Sequence, residues 1–251
     1  MGKYTGLLLC SDFDGTLCHH GKVSRETLEA IAYFQQNGGR FTLATGRYPD
    51  ILSELNVPLC CNAPLICMNG AILYDGAEDR YLYEGKMSAE YADILLEILC
   101  ESKGIRDLRI CSSDTRRAEA IPLNDEGAIR AAMRRTPYKI LLHVDTEYSD
   151  FMKRKATRLS GARYAVSRSW INGIEIHEAY YDKGKTARRL AKLLHADKLI
   201  CVGDYENDLS MIREADLGVA MGNAVDSLKE AADLVTATAE ENGVARLIES
   251  L

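Results

Sequence analysis

Short, largely apolar runs punctuate the chain, at residues 7–10, 41–44, 65–68, 199–202 and 217–220, and each closes on a polar or glycine-containing turn. Runs of this length without polar alternation predict strands covered on both faces, as in a parallel sheet sandwiched between helices. Helical-period stretches lie between them. Ser24 is placed to cap a helix carrying Leu28, Ile31, Ala32 and Gln35, and Asn37-Gly38-Gly39 to end it. Another helix, with Ala187, Leu190, Ala191, Leu193 and Leu194, follows Asp182-Lys183-Gly184-Lys185, and a last one follows Gly243.

The middle of the chain is patterned differently. Residues 65–68, 72–74 and 81–84 read as hairpin strands around Asp75-Gly76. Beyond them a helix capped by Ser88 reaches Leu99, strands cover 108–111 and a short stretch ending near Ile121, and a helix covers 125–135. Strand 139–144, helix 150–159 stopped by Gly161, and strands 163–167 and 174–177 across Asn172-Gly173 complete the segment. Two runs of helices and strands in similar order predict an α+β domain on an antiparallel sheet. Residues 1–80 and 182–251 are therefore expected to form one domain, interrupted by an insertion at 81–181.

Composition narrows the function. Of 251 residues, 47% are hydrophobic and 27% charged, as in an ordinary globular protein of one large or two modest domains. No apolar run approaches the ~20 residues that span a bilayer, and the first residues lack a signal-peptide pattern. The expectation is a cytoplasmic protein with no membrane partner. A net charge of −6 argues against nucleic acid. Among eight cysteines, Cys10, Cys67, Cys111 and Cys201 fall in expected buried strands and no zinc spacing appears, so they read as reduced core residues. The adjacent Cys60 and Cys61 carry no readable role. Lys153, Arg154, Lys155 and Arg158 read as a solvated helix face, His19 and His20 as exposed loop residues, and His143, Trp170 and His177 as packing or sheet residues. Oligomeric state leaves no signal.

The chemistry gathers at the turns. Asp12 and Asp14 follow the first strand, where ligands of parallel sheets sit. Gly15 lets the chain bend there, and Thr16 offers a hydroxyl and an N–H to an anion. Two such carboxylates repel, and need a cation between them or a proton on one. With Mg²⁺ present, Asp12 can attack phosphorus and a protonated Asp14 can serve the leaving oxygen. A DxD metal site of the glycosyltransferase kind and a solvated turn with an N-capping Asp are the alternatives; the full run Asp12-Phe13-Asp14-Gly15-Thr16-Leu17 directly after an apolar strand favours catalysis. Thr45-Gly46-Arg47 places a hydroxyl after the second strand, suited to a phosphate oxygen or to an ordinary turn. Gly203-Asp204-Tyr205-Glu206-Asn207-Asp208 again presents carboxylates at a strand end, the oxygen ligands that Mg²⁺ prefers. Lys183, taken alone, is a solvated charge at a helix start.

Together these segments bear a family likeness. Asp12 to Leu17 resembles motif I of the haloacid dehalogenase (HAD) superfamily of phosphotransferases, and the GDxxND run resembles its motif IV. Thr45 matches motif II; Arg47 in ATGR and Asn69 in NGA resemble the Cof-type branch; the insertion resembles the type IIB (C2B) cap that covers the site and selects the substrate. The resemblance implies an α/β fold, a Rossmann-like parallel-sheet core with an inserted α+β cap. It implies a Mg²⁺-dependent phosphatase of a small phosphorylated metabolite, a sugar phosphate or similar, working through an aspartyl-phosphate. In that scheme Asp12 attacks phosphorus, Asp14 protonates the leaving group and activates water, and Thr45 and Lys183 hold the phosphoryl oxygens, with Lys185 the lesser candidate for the cation. Mg²⁺ would be held by the Asp12 carboxylate, the Asp14 backbone carbonyl and Asp204, with Asp208 a ligand or an acceptor behind them. Gly15, Thr16, Gly46, Arg47, Asn69 and Asn207 would bind substrate. A phosphomannomutase-like enzyme is one rival, but its pattern is not evident in residues 174–182. A phosphometabolite-binding protein without turnover is another, but no catalytic residue is missing.

Overall fold

The computed structural model describes residues 2–50, 61–100, 103–114, 118 and 120–251, and its backbone divides into two compact units, Met1–Tyr83 with Lys183–Leu251, and Glu84–Asp182. Cys60 lies outside the described residues; Cys61 is half-buried. The first unit opens with β1 (Leu7–Ser11), α1 (Arg25–Gln36), β2 (Arg40–Leu43), β3 (Leu65–Cys67), β4 (Ile72–Asp75) and β5 (Arg80–Glu84). The Ser24 hydroxyl accepts the Thr27 N–H at 3.0 Å, capping α1 as expected.

The second unit contains α2 (Tyr91–Leu99), β6 (Ile105–Ser112), β7 (Ala120–Ile121), α3 (Glu126–Ala132), β8 (Pro137–Val144), α4 (Thr146–Ser160), β9 (Tyr164–Trp170) and β10 (Gly173–Glu178). Its strands form an antiparallel sheet in the order β7-β6-β8-β10-β9. Alternation decides the two faces. Leu108, Ile110, Ile140, Leu142, Val144, Ile174 and Ile176 pack with Leu95, Ile98, Met152 and Ala156 of the helices into one apolar core. The opposite face is more polar: beside Leu141, Lys139 forms a buried ion pair with Glu175, which also accepts from Ser169, and His177 lies across the ladder from Lys139. His177 is buried, His143 contacts Asp107 at 3.3 Å, and Trp170 ends β9 half in solvent, so all three are sheet residues.

Three local expectations change. Ser88 does not cap α2: its hydroxyl is bonded to that of Tyr164 at 2.6 Å, and the helix starts beyond Glu90. Helix α4 begins at Thr146 rather than near Asp150, because the chain turns straight out of β8 at Asp145, whose carbonyl accepts the Tyr148 N–H. Lys155 is not on a solvated face. It is buried, and its ammonium donates to the Ile98 carbonyl in the last turn of α2, where unpaired carbonyls attract a cation.

The chain returns to the first unit with α5 (Lys183–Leu193), β11 (Lys198–Gly203), α6 (Leu209–Glu214), β12 (Leu217–Ala220), α7 (Asp226–Ala231), β13 (Leu234–Val235) and α8 (Gly243–Ser250). A five-stranded parallel sheet runs β13-β12-β11-β1-β2. A parallel bridge from Ala44 to Ile66 sets β3 beside β2, and β4 and β5 follow β3 in a small separate sheet. Leu8, Leu9 and Cys10 are fully buried, each leucine contributing about 1.5–3 kcal/mol. Cys67, Cys111 and Cys201 are buried thiols too. Successive connections leave β1 in opposite directions across the sheet, to β2 on one side and from β11 on the other, so a crevice opens at its carboxyl end.

Candidate active site

Strand register builds the site. Ser11 pairs with Val202 and with Leu43, which brings Asp12, Gly203-Asp204 and Thr45 to one edge of the sheet. The Asp12 N–H donates to the Val202 carbonyl (2.9 Å) and the Ala44 N–H to the Ser11 carbonyl (2.8 Å), extending the ladder to the site.

Lys183 lies at the first turn of α5 and is wholly buried. Its ammonium donates to Asp12 Oδ1 and to Asp208 Oδ1, both at 2.6 Å. Lys185, two residues on, is exposed. The other Asp208 oxygen accepts the backbone N–H groups of Asp204 (2.9 Å) and Tyr205 (3.1 Å), so both oxygens of Asp208 are engaged with protein donors. Gly184 allows the approach of the lysine helix: a Cβ there would stand 2.2 Å from the Ser210 carbonyl oxygen of α6.

Asp12, Asp204 and Asp208 offer oxygens that lie within 4.8 Å of one another. Burial, then the neighbouring Asp208 charge, push the Asp12 carboxyl well above its usual range despite the opposing pull of Lys183. Burial and Asp208 likewise push Asp204 up to about 7. Burial works against the Lys183 ammonium, but the attraction of Asp12 and Asp208 outweighs it and holds the lysine above its ordinary range. One ammonium against three carboxylates leaves the cluster short of positive charge. An all-oxygen donor set with that deficit fits a hard divalent cation. Gly15, at φ +86°, lets the loop after β1 come up against Asp204, since a Cβ would stand 2.3 Å from Asp204 Oδ2. Thr16 closes the same contact, its hydroxyl donating to Asp204 Oδ1 at 2.7 Å.

The remaining expected residues divide by position. Thr45 is buried and its hydroxyl accepts the Arg47 N–H at 3.2 Å, which leaves its own proton to donate; Gly46 lies between them in the turn. Asn69 is buried in a turn where it and Met68 both take left-handed backbone, at φ 55° and 50°, conformations uncommon outside glycine. Met68 and Asn69 donate backbone N–H groups to the carbonyls of Arg47 (3.1 Å) and Thr45 (3.0 Å), so this turn braces the Thr45 loop. The Asp14 side chain is not one of the three clustered carboxylates; it is exposed and makes a two-point contact with Arg47. Asn207 is half-buried on the loop between Asp204 and Asp208. His20 is exposed as expected but His19 is half-buried; their ring centres lie 4.1 Å apart with the planes tilted by 59°, outside the carboxylate cluster.

In the sequence, Met221-Gly222-Asn223-Ala224 reads as a further turn of Cof-type appearance after strand 217–220, with no role for Asn223. Its Nδ2 donates to the Gly15 carbonyl at 2.9 Å, and its Oδ1 accepts the Ala239 N–H at 2.8 Å. The available signal was its place in a Gly-Asn turn directly after a buried strand of the same sheet.

Carboxylates at the switch point of a parallel sheet, held against one buried ammonium and still short of positive charge, are suited to an enzyme that handles phosphate esters. The family model of haloacid dehalogenase-like hydrolases matches residues 9–248, and the chain belongs to that family. It is 26% identical over 260 residues to a 5-amino-6-(5-phospho-D-ribitylamino)uracil phosphatase of Bacillus subtilis, covering 96% of each chain. It is 26% identical over 273 residues to a pyridoxal phosphate phosphatase of Escherichia coli, covering 98% of each. Among solved structures, a haloacid dehalogenase-like hydrolase from B. subtilis superposes with a TM-score of 0.81 at 24% identity, over 97% of this chain and 99% of the other. A subclass IIB sugar phosphatase does so with a TM-score of 0.80 at 23% identity, over 97% and 98%. The Cof-type, subclass IIB fold is thus the fold of this chain, and its enzyme class is phosphatase.

Proposed function

We propose that the protein hydrolyses a small phosphorylated metabolite with Mg²⁺, through an aspartyl-phosphate on Asp12. The observation that carries this reading is the Lys183 ammonium at 2.6 Å from both Asp12 and Asp208, at the carboxyl end of the central strand. Mg²⁺ would be held by Asp12, Asp204 and the Asp14 backbone carbonyl, where it supplies the positive charge the cluster lacks and draws charge from the phosphoryl oxygens. Asp208 has both oxygens engaged and serves to hold Lys183 and the Asp204 loop.

An Asp12 oxygen attacks phosphorus as the ester P–O bond breaks, and Asp14 gives its proton to the departing oxygen. Asp14 then takes a proton from water as the water oxygen attacks the phosphorus of the acyl phosphate, releasing inorganic phosphate and restoring the Asp12 carboxylate. Lys183 and the Thr45 hydroxyl bind the phosphoryl oxygens throughout, and Arg47, Asn69 and Asn207 contribute at the rim. The inserted unit contains none of these groups, and we assign substrate selection to it.

Purified protein assayed for phosphate release across sugar phosphates, pyridoxal phosphate and phosphoribityl compounds tests the reading. Mg²⁺-dependent release that EDTA abolishes is expected from at least one class. No release from any ester, including p-nitrophenyl phosphate, overturns it.

A further inference from the structure

We propose that Asn223 is a positioning residue that sets the affinity of the carboxylate site for its divalent cation, by holding the Gly15 turn against the Asp204 loop. This rests on the metal assignment above and adds a residue to it.

The turn after β12 is tied to both loops that present the carboxylates. The Met221 N–H donates to the Gly203 carbonyl (2.9 Å) and the Val225 N–H to the Asp204 carbonyl (3.0 Å), which seats the turn on the Asp204 loop. Between those two anchors, Asn223 reaches the other loop through its bond to the Gly15 carbonyl at 2.9 Å. Its own amide oxygen is steadied by the Ala239 N–H at 2.8 Å, and Gly222 donates to the Ala237 carbonyl at 3.0 Å, so the side chain is oriented from behind.

The consequence falls on two peptide planes. The Gly15 N–H, which shares a plane with the Asp14 carbonyl, donates to the Cys18 carbonyl at 3.0 Å. The next plane joins the Gly15 carbonyl to Thr16, and Asn223 fixes it. That plane sets where the Thr16 hydroxyl meets Asp204 Oδ1, at 2.7 Å. Gly15 at φ +86° offers little resistance to rotation of its own, because glycine populates many backbone conformations. The flanking planes are held within the turn, by the Leu17 and Cys18 N–H groups on the Phe13 carbonyl at 3.1 and 2.8 Å, so without the Asn223 amide it is the Gly15–Thr16 plane that loses its tie, and the cation has to order that plane on binding.

Three variants separate positioning from plain structural support. Asn223→Asp keeps an acceptor for Ala239 but loses the donor to Gly15; Asn223→Ala loses both; Thr236→Ser, a hydroxyl-preserving change at a neighbouring bond to the Gly243 carbonyl, is the control. Mg²⁺ is titrated calorimetrically into each protein, with melting temperature measured in EDTA. One neutral hydrogen bond corresponds to a three- to tenfold effect. We expect the Mg²⁺ Kd to rise three- to tenfold in both Asn223 variants and to stay put in the control. The kcat at saturating Mg²⁺ should return to within threefold of wild type, and KM for p-nitrophenyl phosphate should move less than twofold. An unchanged Kd in Asn223→Asp overturns the inference, as does a Kd change matched by the control. Should Asn223→Ala fail to fold, Asn223→Asp decides alone. Wild-type protein that binds Mg²⁺ but turns over no ester defeats the proposed function and leaves this inference standing; wild-type protein that binds no Mg²⁺ defeats both.

Discussion

Arg47 grips both oxygens of Asp14: Nε donates to Oδ2 at 2.8 Å and Nη2 to Oδ1 at 2.7 Å, while the guanidinium carbon lies 5.7 Å from the centre of the Phe13 ring. In this contact both Asp14 oxygens face the guanidinium, whereas the proposed acid role needs one of them turned to the leaving group. One arm of the fork has to open for Asp14 to act as an acid, and that arm is then available to a phosphate.

Both partners are about half exposed, so the pair adds little stability. Arg47→Lys should leave the melting temperature within about 2 °C of wild type, yet lower kcat/KM about tenfold, roughly 1.4 kcal/mol, because lysine cannot reproduce the two-point geometry. Equal activity of the two proteins would show that the fork is incidental.

Replacing Asp12 with Asn keeps the shape and removes the attacking oxygen. Turnover should fall by at least ~10³-fold, about 4 kcal/mol of barrier, in a protein that still folds by circular dichroism. Residual turnover within tenfold of wild type is too small a loss for a nucleophile.

The two lysines at the head of α5 give opposite expectations. Lys183→Met strands buried carboxylates without their ammonium, a change that typically costs about 3–5 kcal/mol, and should abolish turnover. Lys185→Met changes an exposed side chain and should stay within about threefold in kcat. The reverse ranking, measured on p-nitrophenyl phosphate, would assign the phosphate-binding cation to Lys185.

Asp204 makes stability depend on pH with a definite sign. Its folded-state value of about 7 lies above the 3.8 of an unperturbed Asp, so between pH 4 and 7 the native state holds a proton that the unfolded chain has lost. This contribution therefore weakens the metal-free protein as pH rises through that window. Asp204→Asn carries no such charge. In EDTA it should be more stable than wild type at pH 8, by about 2–4 kcal/mol, and should lose that advantage by pH 4. Added Mg²⁺ should stabilise wild type at pH 8 and leave the variant unmoved. Parallel pH profiles in denaturant titrations would contradict the assignment.

Much of this was legible in local sequence because a buried parallel strand must be apolar on both faces, and the polar residue that ends it sits at a ligand-binding edge. Asp12, Thr45 and Asp204 follow from that rule, and the register of β1 against β2 and β11 brings them together. The second unit read less well. Ser88 looked like a helix cap, and only the hydroxyl of Tyr164, a residue 76 positions away, shows why it is not one.

Sequence by itself determined which side chains could do phosphate chemistry and at which strand ends they stand, since both follow from residues adjacent in the chain. Tertiary structure decided which of them meet. The family likeness ranked Lys183 above Lys185, and the helix gives the physical reason: each residue turns about 100°, so two positions apart they face nearly opposite ways, Lys183 buried against Asp12 and Lys185 exposed. The contacts of Thr16 with Asp204 and of Asn223 with Gly15 span 188 and 208 residues. No local pattern encodes them, because a hydrogen bond between distant segments exists only once the sheet has set those segments side by side.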